Sequence, residues 1–300
     1  MAEPIPIHIA DRPIHAVMET NPTEPFRILQ LTDFHTDTSE HANTQTWRDA
    51  HLLIGHCEPD LLAVTGDIWC ADGLPEHEAL AAMKRDLALL GDLGVPWAFA
   101  WGNHDYADDL TLAHERIAAT PHAVVPRGDG EGNYRVTIIN HQSGAPLWDL
   151  FFLNSHTESL LDSDMNWLEG ECAVLRHKRG CDLPAIAYFH IPLKPYEEAR
   201  LAGAYRGIAL EEVLFWGDDG SLFPRIRDAG GIRACFVGHS HINDFATEKD
   251  GVLLAYGRAT GHGGYGGDRL NRGGKVVELD PVSGSFDFYT LFPDGSVWRC

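Results

Sequence analysis

The sequence predicts an α/β domain built on two packed sheets. Three observations carry the prediction. Apolar runs of four to six residues alternate with helical stretches through the first 120 residues. Nearly every such run ends in a short block of Asp, Asn, His and Gly. The second half then turns to shorter strands and hairpins, so the sheets are expected to be mixed.

Phe26–Leu31 reads as a strand and residues 43–57 as a helix. Leu61–Val64 is a second buried strand, Glu76–Leu90 a second helix rich in Ala and Leu, Trp97–Trp101 a third strand and Asp109–Ala119 a third helix. Strands alternating with helices imply βαβ crossovers and parallel pairing with both faces covered. Tyr134–Asn140 and Trp148–Asn154 read as an antiparallel pair around Gln142-Ser143-Gly144, followed by a helix over Asp164–His177. Ala185–Phe189 and Ala234–Val237 are short apolar strands, and Gly251–Tyr256, Lys275–Asp280 and Ser285–Leu291 read as hairpins. Residues 1–25 hold five prolines and no periodicity, which predicts an extended N-terminal arm. Residues 26–300 show no linker, repeat or low-complexity segment and are expected to form one domain.

The chain has 300 residues, 44% hydrophobic and 22% charged, with a formal net charge of -21. That charge disfavours nucleic-acid polymers and anionic membranes, which both reward a positive surface. Met1 to Asn21 holds neither a run of seven apolar residues nor a basic start with an A-x-A-like site, so no secretory signal is expected. No stretch reaches the roughly 18–20 apolar residues that span a bilayer, and a cytoplasmic location is expected. The six cysteines (57, 70, 172, 181, 235, 300) form no C-x-x-C pair, which favours reduced thiols, with a Cys172–Cys181 bridge as the alternative. Nothing in the sequence reports the oligomeric state.

Five polar blocks recur in order: Asp33-Phe34-His35, Gly66-Asp67, Gly102-Asn103-His104-Asp105, His190 and Gly238-His239-Ser240-His241. Taken singly, each has an ordinary explanation as a strand end, a helix cap, a turn or a hydrogen-bonded imidazole. Together, two Asp, one Asn and four His are the oxygen and nitrogen donors that a pair of divalent transition ions prefers. In open α/β sheets, ligands gather where the carboxyl ends of strands meet, and these blocks follow the apolar runs. An extended segment would put Asp33 and His35 on one face with Phe34 turned to the core, and His239 and His241 would repeat that geometry. Glycines 66, 102 and 238 would let the backbone turn sharply beside the site.

The order D-x-H, GD, GNHD, H, GHxH resembles that of the calcineurin-like metallophosphoesterases, from about residue 26 to the final hairpins. The likeness is closest to the purple-acid-phosphatase-like subgroup of plants, fungi and bacteria. It is carried by Ala187–Leu193, Phe236–Phe245, Tyr256-Gly257-Arg258 and Gly263–Gly266. The resemblance implies a four-layer α/β/β/α sandwich of two mixed sheets flanked by helices. It also implies two divalent ions, one held by Asp33, His35 and His241 and the other by Asn103, His190 and His239, with Asp67 bridging. His104 would stand beside the leaving group as proton donor. Asp105 would orient the loop or cap the following helix. Two departures matter. Cys70 stands where purple acid phosphatases have the tyrosine that colours their iron, which implies a colourless site and leaves Mn²⁺, Fe²⁺ and Zn²⁺ open. Ile68–Gly73 and Asp105 replace the Asp-Arg-Gly and Glu of the Ser/Thr protein phosphatases and disfavour that branch.

Two divalent ions bring four positive charges against the two negative charges of Asp33 and Asp67 and one from a bridging hydroxide. The site then carries about +1 inside an acidic protein, which favours a phosphate. The expected function is a metal-dependent phosphoesterase acting through a metal-bridging hydroxide on a small phosphorylated substrate, leaning towards monoesters. A phosphodiesterase acting on a small diester such as a cyclic nucleotide is the alternative, and a non-catalytic scaffold a remote one. Residues 256–274 hold Tyr256, Arg258, His262, Tyr265, Arg269 and Arg272 among eight glycines. They read either as a loop at the site mouth, with Arg258 and Tyr265 binding substrate, or as a solvated connection. His156 ends an apolar strand and is a substrate-binding candidate or a satisfied surface histidine. The eight tryptophans read mainly as core.

Overall fold

The computed structural model describes residues 7–9, 15–36, 39–70, 73–105, 107, 109–126 and 131–300. In chain order the elements are β1 (Ile7–Ile9), β2 (His15–Thr20), β3 (Phe26–Leu31), α1 (Glu40–Cys57), β4 (Leu61–Val64), α2 (Glu76–Asp92), β5 (Trp97–Phe99) and α3 (Leu110–Ala118). There follow β6 (Tyr134–Asn140), β7 (Pro146–Phe152), α4 (Asp162–Arg179), β8 (Ala185–Tyr188), α5 (Lys194–Ala202), β9 (Arg206–Ala209), α6 (Leu222–Ala229) and β10 (Ile232–Val237). The chain closes with β11 (Asn243–Lys249), β12 (Val252–Tyr256), β13 (Gly274–Leu279), β14 (Phe286–Leu291) and β15 (Val297–Trp298).

The strands form two mixed sheets, a nine-stranded one in the order β1-β2-β6-β7-β8-β10-β12-β11-β9 and a six-stranded one in the order β15-β14-β13-β3-β4-β5. The expected βαβ crossovers are present: β3, β4 and β5 run parallel, as do β7, β8 and β10. Alternation along each strand builds the layers. In β8 and β10, Ile186, Tyr188, Ala234 and Phe236 face the core shared with the six-stranded sheet, while Ala185, Ala187, Cys235 and Val237 face a second core. That second core is closed by α4, α5 and α6 through Leu168, Tyr196, Phe223 and Ile226. Helices α1 to α3 pack with the six-stranded sheet through Trp47, Leu53, Leu87 and Ile117. The result is the expected α/β/β/α layering.

An aromatic ladder crosses four neighbouring strands between the sheets. Tyr134 stacks on Phe152, Phe152 on Tyr188 and Tyr188 on Phe236, with ring centroids 5.2, 5.2 and 5.7 Å apart. The Tyr134 hydroxyl donates to the carbonyl of Phe99 at 2.8 Å and accepts its N–H at 2.6 Å, which ties the larger sheet to β5 of the smaller one.

The N-terminal reading needs correction. Part of residues 1–25 is not an arm outside the sheets: His15–Thr20 is β2, which pairs in parallel with β6 from His15↔Arg135 to Thr20↔Asn140. Ala16 and Met18 are fully buried there. Prolines 4, 6 and 13 masked a short alternating strand whose partner lies over a hundred residues away. Residues 1–6 and 10–14 lie outside the described residues. Cys172 is buried and Cys181 exposed, and both are thiols, so the alternative bridge does not form.

Candidate metal centre

The five blocks follow the carboxyl ends of β3, β4 and β5 in one sheet and of β8 and β10 in the other, so the site lies where the two sheets converge. The backbone there is unusual. Asp33 (φ 56°), His35 (φ 46°), Asp67 (φ 54°) and His239 (φ 75°) all occupy the left-handed region. The extended geometry expected for Asp33-Phe34-His35 is therefore wrong, although Phe34 is fully buried as expected. Left-handed backbone costs a non-glycine residue free energy, and Asp, Asn and His tolerate it best, so its concentration on these side chains marks a functional constraint. The loops also approach closely: a Cβ on Gly102 would overlap the Asp67 carboxylate, so only glycine lets the β5 loop pass.

Six of the predicted ligands form two buried clusters, Asp33 with His35 and His241, and Asp67 with His190 and His239. In the first, the Nε2 atoms of His35 and His241 lie 3.0 Å apart and His241 Nε2 lies 3.3 Å from Asp33 Oδ1. In the second, His190 Nε2 lies 3.1 Å from Asp67 Oδ2. The same Oδ2 lies 3.5 Å from His35 Nε2, so one oxygen of Asp67 faces both clusters. The other oxygen, Oδ1, accepts the N–H of His104 at 2.9 Å, which fixes the orientation of the carboxylate. Asp33 accepts the N–H of His239 on both oxygens, at 3.0 and 3.2 Å. His190 is oriented by its Nδ1, which donates to the carbonyl of Thr65 at 2.7 Å and leaves Nε2 facing the cluster.

The donor set fits divalent ions. His239 Nε2 and Asn103 Oδ1 are buried with no hydrogen-bond partner, a costly state that a cation would relieve. Electrostatics prepare the ligands unevenly. Burial holds His35 down to about 4 against the pull of Asp67 and Asp33. Burial and the neighbouring His190 hold His239 down to about 3. Burial also opposes charge on His190, but Asp67 and Asp33 outweigh it and raise this imidazole to about 9. Burial works against Asp33 as well, yet its hydrogen bond and charge interaction with His241, with His190 behind, hold it to about 2. Of His35, His190 and His239, His190 is thus the one that holds its proton most firmly against a metal.

His104 is half-buried, with its ring centroid 5.2 Å from that of His35 and its Nδ1 3.8 Å from Cys70 Sγ. Asp105 is buried and resolves its two expected roles. It accepts the N–H groups of Asp67 (2.6 Å), Ile68 (2.9 Å), Trp69 (3.3 Å) and Gly102 (3.0 Å), and so pins one loop to the other. It does not cap the next helix, because Asp109 does so by accepting from Leu112 N at 2.9 Å. Asp105 thus orients the two loops that carry Asp67 and Asn103.

Of the substrate-binding candidates, Arg258 and His156 make their hydrogen bonds within the protein. Arg258 is 2% exposed, and its guanidinium binds Asp244 Oδ2 at 2.7 Å and the Asn271 carbonyl at 3.0 Å. Lys275 shares the same carboxylate, so Arg258 belongs to a buried charge cluster. The His156 Nε2 bonds Asp164 Oδ2 at 3.0 Å, and Asp164 in turn accepts Leu161 N at the start of α4. Tyr265 does reach the site. Its half-exposed ring stacks on His241 at 4.1 Å and 16°, while its hydroxyl accepts the His241 N–H and donates to Glu211. Sequence reasoning missed Trp216, whose ring meets His239 edge to face at 4.8 Å and 88°. It ends the apolar run Val213-Leu214-Phe215 in the loop after β9, so nothing in the sequence separates it from core.

Fold and site together define a metallophosphoesterase. The chain belongs to the calcineurin-like phosphoesterase family, whose model matches residues 26–243. It is 25% identical to a protein named probable inactive purple acid phosphatase 28 of Arabidopsis thaliana, across 84% of this chain and 75% of that one. It is also 25% identical to phosphatase DCR2 of Saccharomyces cerevisiae, over 77% of this chain and 47% of the yeast protein. Among solved structures, a dimetal phosphatase from Danio rerio superposes with a TM-score of 0.56 at 13% identity, covering 90% of this chain and 93% of that one, a likeness of fold. Among the described residues, no helix is long and apolar enough to cross a membrane.

Proposed function

We propose that this chain is an active two-metal phosphoesterase that hydrolyses a monoester of a small phosphorylated molecule. The observation that carries the reading is Asp67 Oδ2, which faces His35 of one cluster at 3.5 Å and His190 of the other at 3.1 Å. Asp33, His35 and His241 would hold one ion, Asn103, His190 and His239 the second, and Asp67 both. When bound, two divalent ions supply positive charge for the phosphoryl oxygens and lower the pKa of bound water. The chain's own residues do the rest. Asp67 and Asp33 set the spacing, Asp105 and Thr65 hold Asp67 and His190 in place, and His104 donates the proton that the departing alkoxide needs.

A non-catalytic reading draws on the word inactive in the plant relatives' names. Against it stand the seven ligand side chains and His104, all present in this chain. The experiment that separates these readings is hydrolysis of p-nitrophenyl phosphate beside bis-p-nitrophenyl phosphate by metal-stripped protein resupplied with Mn²⁺, Zn²⁺ or Fe²⁺. Metal-restored activity that prefers the monoester supports the proposal. Preference for the diester moves the substrate to a phosphodiester, and metal binding without turnover of either supports the scaffold.

A further inference from the structure

Of the eight tryptophans, Trp216 alone is neither buried nor half-buried: it is 54% exposed. Yet it is firmly presented. Phe215 on one side packs into the second hydrophobic core. On the other side the Gly217 N–H donates to the Glu158 carbonyl at 3.3 Å. The next residue, Asp218, is buried and accepts the N–H groups of Lys194 at 2.8 Å and Gly220 at 2.7 Å. A large apolar ring is thus held in solvent at contact distance from His239. Tyr265, 50% exposed, stands on His241 in the same way. The two histidines of one Gly-His-Ser-His block therefore each carry a half-exposed aromatic ring.

The charged groups nearby point the same way. Arg258 and Arg272 of the glycine-rich segment are buried, and Arg272 donates to the carbonyls of Gly264 (3.0 Å) and Tyr265 (2.6 Å). Arg269 donates to the Leu210 carbonyl at 3.2 Å. The acidic side chain at this rim is Glu211, which accepts the Ile242 N–H and the Tyr265 hydroxyl. Lys194, which packs on the loop that carries Trp216, donates its Nζ to the Asp219 carbonyl at 3.0 Å. A second phosphate or carboxylate on the leaving group would meet Glu211 on the Tyr265 side, whereas a flat uncharged ring would meet Trp216.

We propose that Trp216 is a specificity-determining residue that stacks on the leaving group, so that the preferred substrates are monophosphate esters of uncharged aromatic alcohols. This rests on the reading that the phosphate sits at the paired Asp/His clusters. Because Trp216 contacts a ligand histidine directly, the ring that it receives lies close to the ester oxygen, which favours aryl over remotely aromatic esters.

The test compares wild type, Trp216→Ala and Trp216→Phe, all metal-loaded and with metal content measured. Turnover is followed with phenyl phosphate and ethyl phosphate. Binding is followed by calorimetry with the non-hydrolysable benzylphosphonate and ethylphosphonate. Trp216→Ala is expected to raise KM for phenyl phosphate and Kd for benzylphosphonate about 3- to 10-fold. The ethyl compounds and the metal content should stay unchanged, and Trp216→Phe should restore most of the loss. Equal weakening of phenyl and ethyl compounds, or no weakening of either, overturns the proposal. Ring-dependent binding without turnover of either ester keeps it and removes the phosphatase reading instead. Turnover without ring preference does the reverse.

Discussion

Asp105 accepts the backbone N–H of Asp67 at 2.6 Å, and through this bond the loop after β5 fixes the residue that faces both halves of the metal centre. Three further N–H groups, from Ile68, Trp69 and Gly102, converge on the same carboxylate. Asp105→Ala strands these buried donors, each worth about 1–3 kcal/mol when left unsatisfied. Thermal unfolding of the metal-free variant should fall by at least roughly 4 °C. Metal affinity, measured by calorimetry, should weaken about 10- to 100-fold because the bridging carboxylate loses its support. An unchanged affinity would show that Asp67 needs no such brace.

Metal uptake should release a proton, and the pKa shifts say from where. His190 is raised from 6.5 to about 9, whereas His35 and His239 are lowered to about 4 and 3. At pH 7.5 only His190 of these three carries a proton that metal must displace. Calorimetric titration in buffers of different ionisation enthalpy should report at least about one proton released per chain at that pH. Asp105, raised to about 8 by burial and by Asp67, adds to it, and the release should fall towards zero above pH 9. The same shift has a stability sign. Because the folded value lies above the unfolded one, His190 stabilises the metal-free fold fully below pH 6.5, and that contribution fades as pH rises through 9. Asp33, held to about 2, acts oppositely, and its contribution fades as pH falls below the ordinary 3.8 towards 2.

His104 belongs to neither of the two ligand clusters, so its removal should spare the metals. His104→Ala is expected to lower kcat about 10²- to 10⁴-fold with two ions per chain retained, read by steady-state kinetics and metal analysis. Loss of metal together with activity would make His104 a structural element of the site.

Arg258 now belongs to the fold. Arg258→Met removes one partner of a buried carboxylate that Lys275 and Thr290 still contact. Stability measured by denaturant should drop by about 3 kcal/mol, while KM for a phosphate ester stays within about twofold. A large rise in KM with stability unchanged would return Arg258 to the substrate.

What the sequence made legible was local. The runs Phe26–Leu31, Leu61–Val64 and Ala185–Tyr188 are apolar, bounded by polar blocks and buried on both faces, so their strands and the residues that follow them could be placed. What stayed hidden depended on distant partners. β2 takes its place from β6, and Arg258 takes its role from Asp244 and Lys275, neither of which announces itself by spacing. The Asp33-Phe34-His35 block was assigned correctly as a cluster but with the wrong backbone, because its left-handed φ values are imposed by contacts such as Asp33 N to Gly66 O and His35 N to Asp67 O. Trp216 was read as core because tryptophan usually is, and only its exposure beside His239 sets it apart.

The most direct measurement of the central claim is a metal titration of the stripped protein, followed by hydrolysis of p-nitrophenyl phosphate. The expected result is no activity without metal, a rise that saturates at two divalent ions per chain, and little turnover at either loading in Asp67→Ala. Activity that survives full metal removal, or saturation at two ions with no hydrolysis of monoester or diester, would contradict that claim.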